Sequence, residues 1–146
     1  MRAHPRTISY LQRALNHEFG ATLQYSMQAA LADTLGLDAL AAELREGVQE
    51  ELRHAGLLMR AMYAIGVTPH AGQPRATRVG RTQAEMLRFG HQTEIDAIRI
   101  YREACRFCDS IGDVRHAGLF AAILDDEIRH CRELEQQLSV AGAPVN

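Results

Sequence analysis

The chain has 146 residues, of which 47% are hydrophobic and 23% are charged, and its formal net charge is −2. These values exclude a disordered chain and give no reason to expect nucleic acid or an anionic membrane as a partner. Only 5% of the residues are aromatic and Trp is absent, a composition that favours helices over strands. We expect a single domain spanning residues 1–146.

The N-terminal residues contain no apolar run typical of a signal peptide, and no segment approaches the roughly 20 apolar residues of a membrane span. The three cysteines, Cys105, Cys108 and Cys131, are too few and odd in number for a disulfide framework. A cytoplasmic protein is therefore predicted.

Apolar residues that recur every three or four positions predict two helices in the first half of the chain. The first begins near Pro5, which suits a helix N-terminus, and ends at Gly36. The second begins with Asp38 as its N-cap and ends at Gly66. The linker between them is so short that the two helices should form an antiparallel hairpin.

The second half predicts another helical hairpin. The third helix begins near Thr82, which forms a capping box with Glu85, and ends at Gly112. Asp113 caps the fourth helix, whose apolar stripe extends to Leu138.

A loop of sixteen residues, 66–81, joins the two hairpins and shows no periodicity. Extended, it reaches about 50 Å, whereas a helix of about 27 residues is about 40 Å long. The loop can therefore run the full length of the helices and start the third helix parallel to the second. We predict an all-α fold, a four-helix bundle with one long crossover between helices two and three.

Each apolar stripe contains one Glu where an apolar residue is expected. Two of them open the same pattern, Glu51-Leu52-Arg53-His54 and Glu127-Ile128-Arg129-His130, and the other two precede these patterns by an identical 33 residues. The two halves are thus related by an offset of 76 residues, which indicates a duplicated hairpin. The candidate site residues are Glu18, Glu51, His54, Glu94, Glu127 and His130.

A Glu and a His three residues apart share one helix face, so this set places four carboxylates and two imidazoles around one cavity. Buried carboxylates are costly unless they are neutralised, and two divalent cations would balance their formal charge. Mixed oxygen and nitrogen ligands suit iron(II) or manganese(II), and zinc would also bind. The alternative, a bundle in which the Glu and His side chains only hydrogen-bond, leaves carboxylates without partners.

With this ligand set the chain resembles the ferritin-like superfamily, and bacterioferritin in particular, over residues from about 8 to 140. The phrases YLQRALNHEFGATLQY, QEELRH and DDEIRH carry the resemblance. It implies that Glu51 and Glu127 bridge two iron ions, that Glu18 with His54 and Glu94 with His130 complete one ion each, and that Tyr25 lies beside them. It further implies a ferroxidase that oxidises Fe(II) with dioxygen or peroxide and acts as a homo-oligomer, at least a dimer.

Two departures from the family pattern matter. Family members that bind haem have a Met at the position of Leu52, and Leu cannot ligate iron, so we expect no haem. The family also has a fifth helix that lines a channel of its 24-subunit shell, and the residues after Gly142 and Pro144 are too few to form it. The sequence leaves open whether a shell forms.

Residues outside the ligand set have secondary interpretations. Glu50 and Asp126 each precede a ligand Glu and are candidates to orient the ligand histidines, the alternative being surface acids. Cys105 and Cys108 form a CxxC pattern without the second pair that a rubredoxin-type site needs, so they are interpreted as packing thiols, as is Cys131. His91 is not counted as a ligand because its equivalent in the first half is Leu15.

Tyr25 and Tyr101 occupy equivalent positions of the duplication, each seven residues after a ligand Glu. Either phenol could donate a hydrogen bond to a ligand Glu and supply an electron during oxygen reduction. The alternative is that both are core fillers whose hydroxyls need a buried acceptor.

Three functions remain in competition. The leading hypothesis is a non-haem di-iron ferroxidase for iron storage or detoxification. The second is a stand-alone di-metal oxidase or peroxidase that builds no storage cage. The third, a non-catalytic metal-stabilised bundle, is disfavoured because apolar residues would stabilise the core better.

Overall fold

The computed structural model describes residues 2–72 and 76–142. They form four α-helices, α1 (Pro5–Thr34), α2 (Asp38–Ala64), α3 (Gln83–Ser110) and α4 (Val114–Val140). Residues 73–75 of the predicted loop and residues 143–146, on which the expectation of no fifth helix depends, lie outside the described residues. None of the described helices is long and apolar enough to cross a membrane.

The helix ends follow the predicted signals with one exception. Thr82 accepts a hydrogen bond from the backbone N–H of Glu85 at the start of α3, and Asp113 accepts one from His116 at the start of α4. Asp38, predicted as the N-cap of α2, is instead its first residue, and Leu37 occupies the cap position without a side-chain hydrogen bond. Asp38 still places a negative charge in the first turn, where the helix dipole favours it.

Side-chain contacts define the directions of the helices. Tyr25 contacts Glu94 whereas Tyr101 contacts Glu18, so α1 and α3 run antiparallel. The described parts of the loop contact α1 at two points sixteen helix residues apart, since Gln12 donates to the carbonyl of His70 and Gln28 donates to that of Val79. The four-helix bundle with one long crossover is therefore confirmed.

Two apolar clusters form the core and leave a polar layer between them. The larger contains Leu11, Leu58 and Phe120, and the smaller, toward the other end of the bundle, contains Leu40, Leu87 and Leu138. The four stripe-borne Glu side chains occupy this polar layer, and each is at most 1% exposed. The apolar core is therefore interrupted by Glu side chains, a residue type that is almost never fully buried unless it is paired.

Candidate metal centre

The six predicted ligand residues come together in two overlapping groups. Ligand atoms of Glu18, Glu51, His54 and Glu127 lie within 4.8 Å of one another, and so do those of Glu51, Glu94, Glu127 and His130. Glu51 and Glu127 belong to both groups. The arrangement thus provides two adjacent candidate cation positions that share two carboxylates.

Both imidazoles turn Nδ1 toward the centre of the cluster. Nδ1 of His54 lies 3.1 Å from Glu127 Oε1 and 3.6 Å from Glu51 Oε2. Nδ1 of His130 lies 3.4 Å from Glu51 Oε1 and 3.5 Å from Glu127 Oε1. Each ring nitrogen is therefore close to both shared carboxylates.

The outer nitrogens of the two histidines contact carboxylates contributed by the opposite half of the chain. Nε2 of His54 lies 2.9 Å from Asp126 Oδ2, and Nε2 of His130 lies 2.6 Å from Glu50 Oε2. A carboxylate at Nε2 keeps the proton on that nitrogen and leaves Nδ1 free to bind a cation. Glu50 and Asp126 thus take the positions expected of orienting residues.

The two tyrosines also cross between the halves. Tyr25 donates from its hydroxyl to Glu94 Oε1 at 2.6 Å, and Tyr101 donates to Glu18 Oε1. Both phenols are buried, at 5% and 0% exposure. Each tyrosine therefore contacts the Glu of the neighbouring antiparallel helix rather than the Glu of its own stripe.

Burial and mutual repulsion dominate the electrostatics of the cluster in the absence of cations. Desolvation, reinforced by repulsion from Glu51 and Glu127, raises the pKa of Glu18 and of Glu94 well above its usual value. Desolvation acts on Glu51 in the same direction, but close polar contacts with Glu18 and the two histidines outweigh it and lower its pKa.

The histidines respond in the opposite direction. Desolvation opposes the imidazolium, but close polar contacts with Glu127 and Glu51 raise the pKa of His130 to about 10, and the same contacts together with Glu18 raise the pKa of His54. Protonation of Glu18, Glu94 and the two imidazoles is thus favoured, which offsets part of the buried negative charge.

Among the described residues, several buried ligand atoms at the centre lie close to other polar atoms but make no hydrogen bond of acceptable geometry. They are Glu18 Oε2, Glu51 Oε1, Glu51 Oε2, His54 Nδ1, Glu94 Oε2 and Glu127 Oε1. Leaving a buried polar atom unpaired costs about 1–3 kcal/mol, more for a charged group. The donor set and its unpaired atoms therefore fit divalent cations better than they fit a closed hydrogen-bond network.

The two cation positions differ in their access to the exterior. A cavity of about 840 Å³ is lined by residues of all four helices, among them Glu51, Glu94 and His130, whereas Glu18 and His54 are not part of its lining. The side chain of His130 is 13% exposed and that of His54 is 0% exposed. The Glu94–His130 half is thus the more open one.

Comparison with known proteins agrees with this geometry. The family model of the ferritin-like domain matches residues 8–141. The chain belongs to the ferritin-like family. Curated relatives include the bacterioferritin of Rhodobacter capsulatus, 30% identical over 96% of this chain and 87% of that protein, and the bacterioferritin of Brucella melitensis, 33% identical over the same shares.

Solved structures show the same likeness within the family. The Rhodobacter capsulatus bacterioferritin, described with a metal-free dinuclear site and haem iron in a crystallographic special position, superposes with a TM-score of 0.94 at 30% identity. The Mycobacterium tuberculosis bacterioferritin gives 0.92 at 26% identity. Each alignment covers 96% of this chain and 88% of the other. The predicted resemblance to bacterioferritins is confirmed.

Two arginines of this ferritin-like chain make contacts that the sequence pattern alone did not predict. Arg53 donates to Asp126 and Arg129 donates to Glu50, each at 2.7 Å. Both arginines are more than half exposed, so they bind the orienting carboxylates from the solvent side. The signal was present, since Arg53 and Arg129 occupy equivalent positions of the duplicated motif.

None of the three cysteines belongs to the two groups of ligand atoms around the shared carboxylates. Cys105 and Cys108 are free thiols, Cys108 is completely buried, and Cys105 is half-buried with Sγ 3.5 Å from the carbonyl of Ala117. Burial, with Glu135 nearby, raises the pKa of Cys131 to about 11. The structure places Cys131 beside His91 and Glu135, a grouping that sequence reasoning missed because no repeat marks it.

Proposed function

We propose that this chain is a non-haem di-iron ferroxidase that oxidises Fe(II) with dioxygen or peroxide, for iron storage or detoxification. The observation that carries the proposal is the set of buried, unpartnered ligand atoms at the centre of the bundle. In this proposal Glu18 and His54 would hold one ion, Glu94 and His130 would hold the other, and Glu51 and Glu127 would contribute to both positions.

Four carboxylates with two neutral imidazoles match two divalent cations in formal charge. Iron(II) suits the mixed oxygen and nitrogen ligands, and manganese(II) or zinc(II) are possible substitutes. Bound iron would supply the redox chemistry, since no side chain of the cluster can reduce dioxygen by itself. The protein itself supplies carboxylates that are already shielded from water, and cations that bind there would displace their protons.

The residues around the ligands hold protons at defined atoms. Asp126 and Glu50 keep a proton on Nε2 of each ligand histidine and thereby direct Nδ1 toward the cation positions. Tyr25 occupies one oxygen of Glu94 and leaves Oε2 for a cation. We include Tyr25 among the catalytic residues because its hydroxyl lies within hydrogen-bond distance of a proposed ligand.

The chain acts in this proposal as a cytoplasmic homo-oligomer, at least a dimer. A stand-alone di-metal oxidase or peroxidase uses the same six residues and is the second candidate. Particle mass together with the iron retained per chain after aerobic Fe(II) loading separates them. Large particles with many irons per chain indicate storage, whereas two irons per chain in a small particle indicate a stand-alone enzyme.

The shared carboxylates provide the decisive test of the metal centre. Glu51→Gln or Glu127→Gln should abolish binding of the ion pair, because each change removes charge from both positions. Glu103→Gln, at an exposed surface ion pair with Arg13, is the matched control. A crystal soaked in Fe(II) that contained fewer than two ions at the six residues would overturn the proposal.

A further inference from the structure

A second group of metal-binding side chains lies beside the dinuclear candidate but shares no residue with it. His91 projects from α3 toward Cys131 and Glu135, which are one turn apart on α4. His91 Nε2 lies 3.7 Å from Glu135 Oε1, Cys131 Sγ lies 3.6 Å from the same oxygen, and all three ligand atoms lie within 4.8 Å of one another.

These distances suit a cation of tetrahedral preference. With metal–ligand distances of about 2.0–2.3 Å, neighbouring ligands of a tetrahedral Zn(II) ion are about 3.3–3.6 Å apart. The two separations that involve Glu135 are close to that range. Small side-chain rotations would therefore bring a thiolate, an imidazole and a carboxylate onto one ion.

The state of the three side chains also indicates a missing partner. Nε2 of His91 is buried and has no hydrogen-bond partner among the described residues. Cys131 is 4% exposed, whereas the side chain of Glu135 is 41% exposed. The group thus combines a buried, unsatisfied nitrogen with a carboxylate through which an ion from solvent can enter.

The duplication provides an internal comparison. The equivalents of His91, Cys131 and Glu135 in the first half, 76 residues earlier, are Leu15, Ala55 and Met59. Leu15 and Ala55 are completely buried and Met59 packs against the larger core cluster. Since apolar residues fill the equivalent place, packing of the bundle does not require the polar trio.

We propose that His91, Cys131 and Glu135 form a mononuclear site for a divalent transition-metal ion of the Zn(II) class, with water as the fourth ligand. Such an ion would satisfy the buried imidazole nitrogen and carry one thiolate, one imidazole and one carboxylate ligand. The site does not depend on the proposed function, because it uses none of the six residues of the dinuclear candidate.

Cobalt(II) is the probe that separates the two sites. The reduced, oxygen-free protein is titrated with Co(II), and sulfur-to-cobalt charge transfer is followed in the near ultraviolet. The dinuclear candidate contains only oxygen and nitrogen ligands and cannot produce this band. We expect one thiolate-bound Co(II) per chain, displaced by Zn(II), and we expect the band to persist in Glu51→Gln.

Variants assign the band to the three residues. Cys131→Ser should abolish it, and His91→Gln or Glu135→Gln should weaken binding by at least about tenfold, the loss common even for residues that only orient a ligand. Cys105→Ser is the control and should leave the band unchanged. Circular dichroism verifies that each variant is folded. Absence of the band in the unmodified protein, or its survival in Cys131→Ser, would overturn the proposal.

Discussion

Replacement of Asp126 tests whether the crossed carboxylates control the proposed ligand histidines. Asp126 Oδ2 accepts the Nε2 proton of His54 at 2.9 Å, and His54 itself is 0% exposed. Asp126→Asn keeps an acceptor at this position but removes its charge, whereas Asp126→Ala removes both. Both changes leave all six proposed ligands in place, so the expected effect is weaker binding of the ion held by Glu18 and His54.

The expected loss of metal affinity follows from the role of a carboxylate that orients a ligand histidine. Removing a carboxylate that orients a ligand histidine costs about 10–100-fold in metal affinity, or about 1.4–2.7 kcal/mol. Asp126→Asn should lie near the lower limit, because the amide oxygen still holds Nε2–H. Asp126→Ala should approach the upper limit, because the buried imidazole then loses its partner and its preferred tautomer.

The assay is anaerobic titration calorimetry with Fe(II) or Mn(II), analysed for two ions per chain. Asp126 variants should weaken one ion and leave the other near its original affinity. Glu50→Gln is the matched variant of the other half, since Glu50 lies 2.6 Å from Nε2 of His130, and it should weaken the other ion. Unchanged affinities in folded Asp126→Ala, or equal weakening of both ions by each variant, would show that these carboxylates do not control the ligand histidines.

Three further predictions concern the tyrosines, the pH dependence and haem. Tyr25→Phe should slow iron oxidation and reduce any radical signal seen by rapid-freeze electron paramagnetic resonance. If only the double variant with Tyr101→Phe loses the signal, the two phenols are interchangeable. An unchanged rate and signal in Tyr25→Phe would contradict a redox role for Tyr25. The metal-free protein should lose stability as the pH rises from about 6.5 to about 10, because the pKa of His130 is raised to about 10 and only the folded state keeps that proton across this range. Denaturant unfolding at several pH values measures the free energy of unfolding. A free energy that does not change with pH would be inconsistent with the raised pKa. Haem offered to the purified protein should give no Soret band, because Leu52 replaces the family's methionine; stoichiometric uptake with that band would contradict this.

The fold and the ligand set were largely accessible from the sequence. A Glu on an apolar stripe violates helical patterning, and four such violations at matched spacing identify one buried cluster. Asp38 was misassigned by one position because several residues near a helix start satisfy the same capping preference. The long crossover could be predicted because the extended length of the sixteen-residue loop exceeds the length of a helix in the bundle.

Contacts between the halves were harder to predict. In the sequence Tyr25 lies seven residues after Glu18 on the same stripe, whereas its hydroxyl contacts Glu94 on α3. The repeat makes Glu50 and Asp126 candidates for orienting residues, but it does not predict that each contacts the histidine of the other half. Sequence periodicity reports which face a residue occupies, and only the relative shift of packed helices determines which faces meet.

The duplication separates what the two cation positions share from what distinguishes them. Residues that repeat, including the proposed ligands, the tyrosines and the arginines, place equivalent side chains around both positions. Residues that do not repeat create the differences, since His91 and Cys131 replace Leu15 and Ala55, Asp126 replaces Glu50, and the cavity is lined by His130 but not by His54. Because the proposed ligands are matched in type, we expect any inequality in affinity or exchange between the two ions to arise from these unmatched surroundings. Exchanging Leu15 for His or His91 for Leu would show how much of that inequality this pair carries.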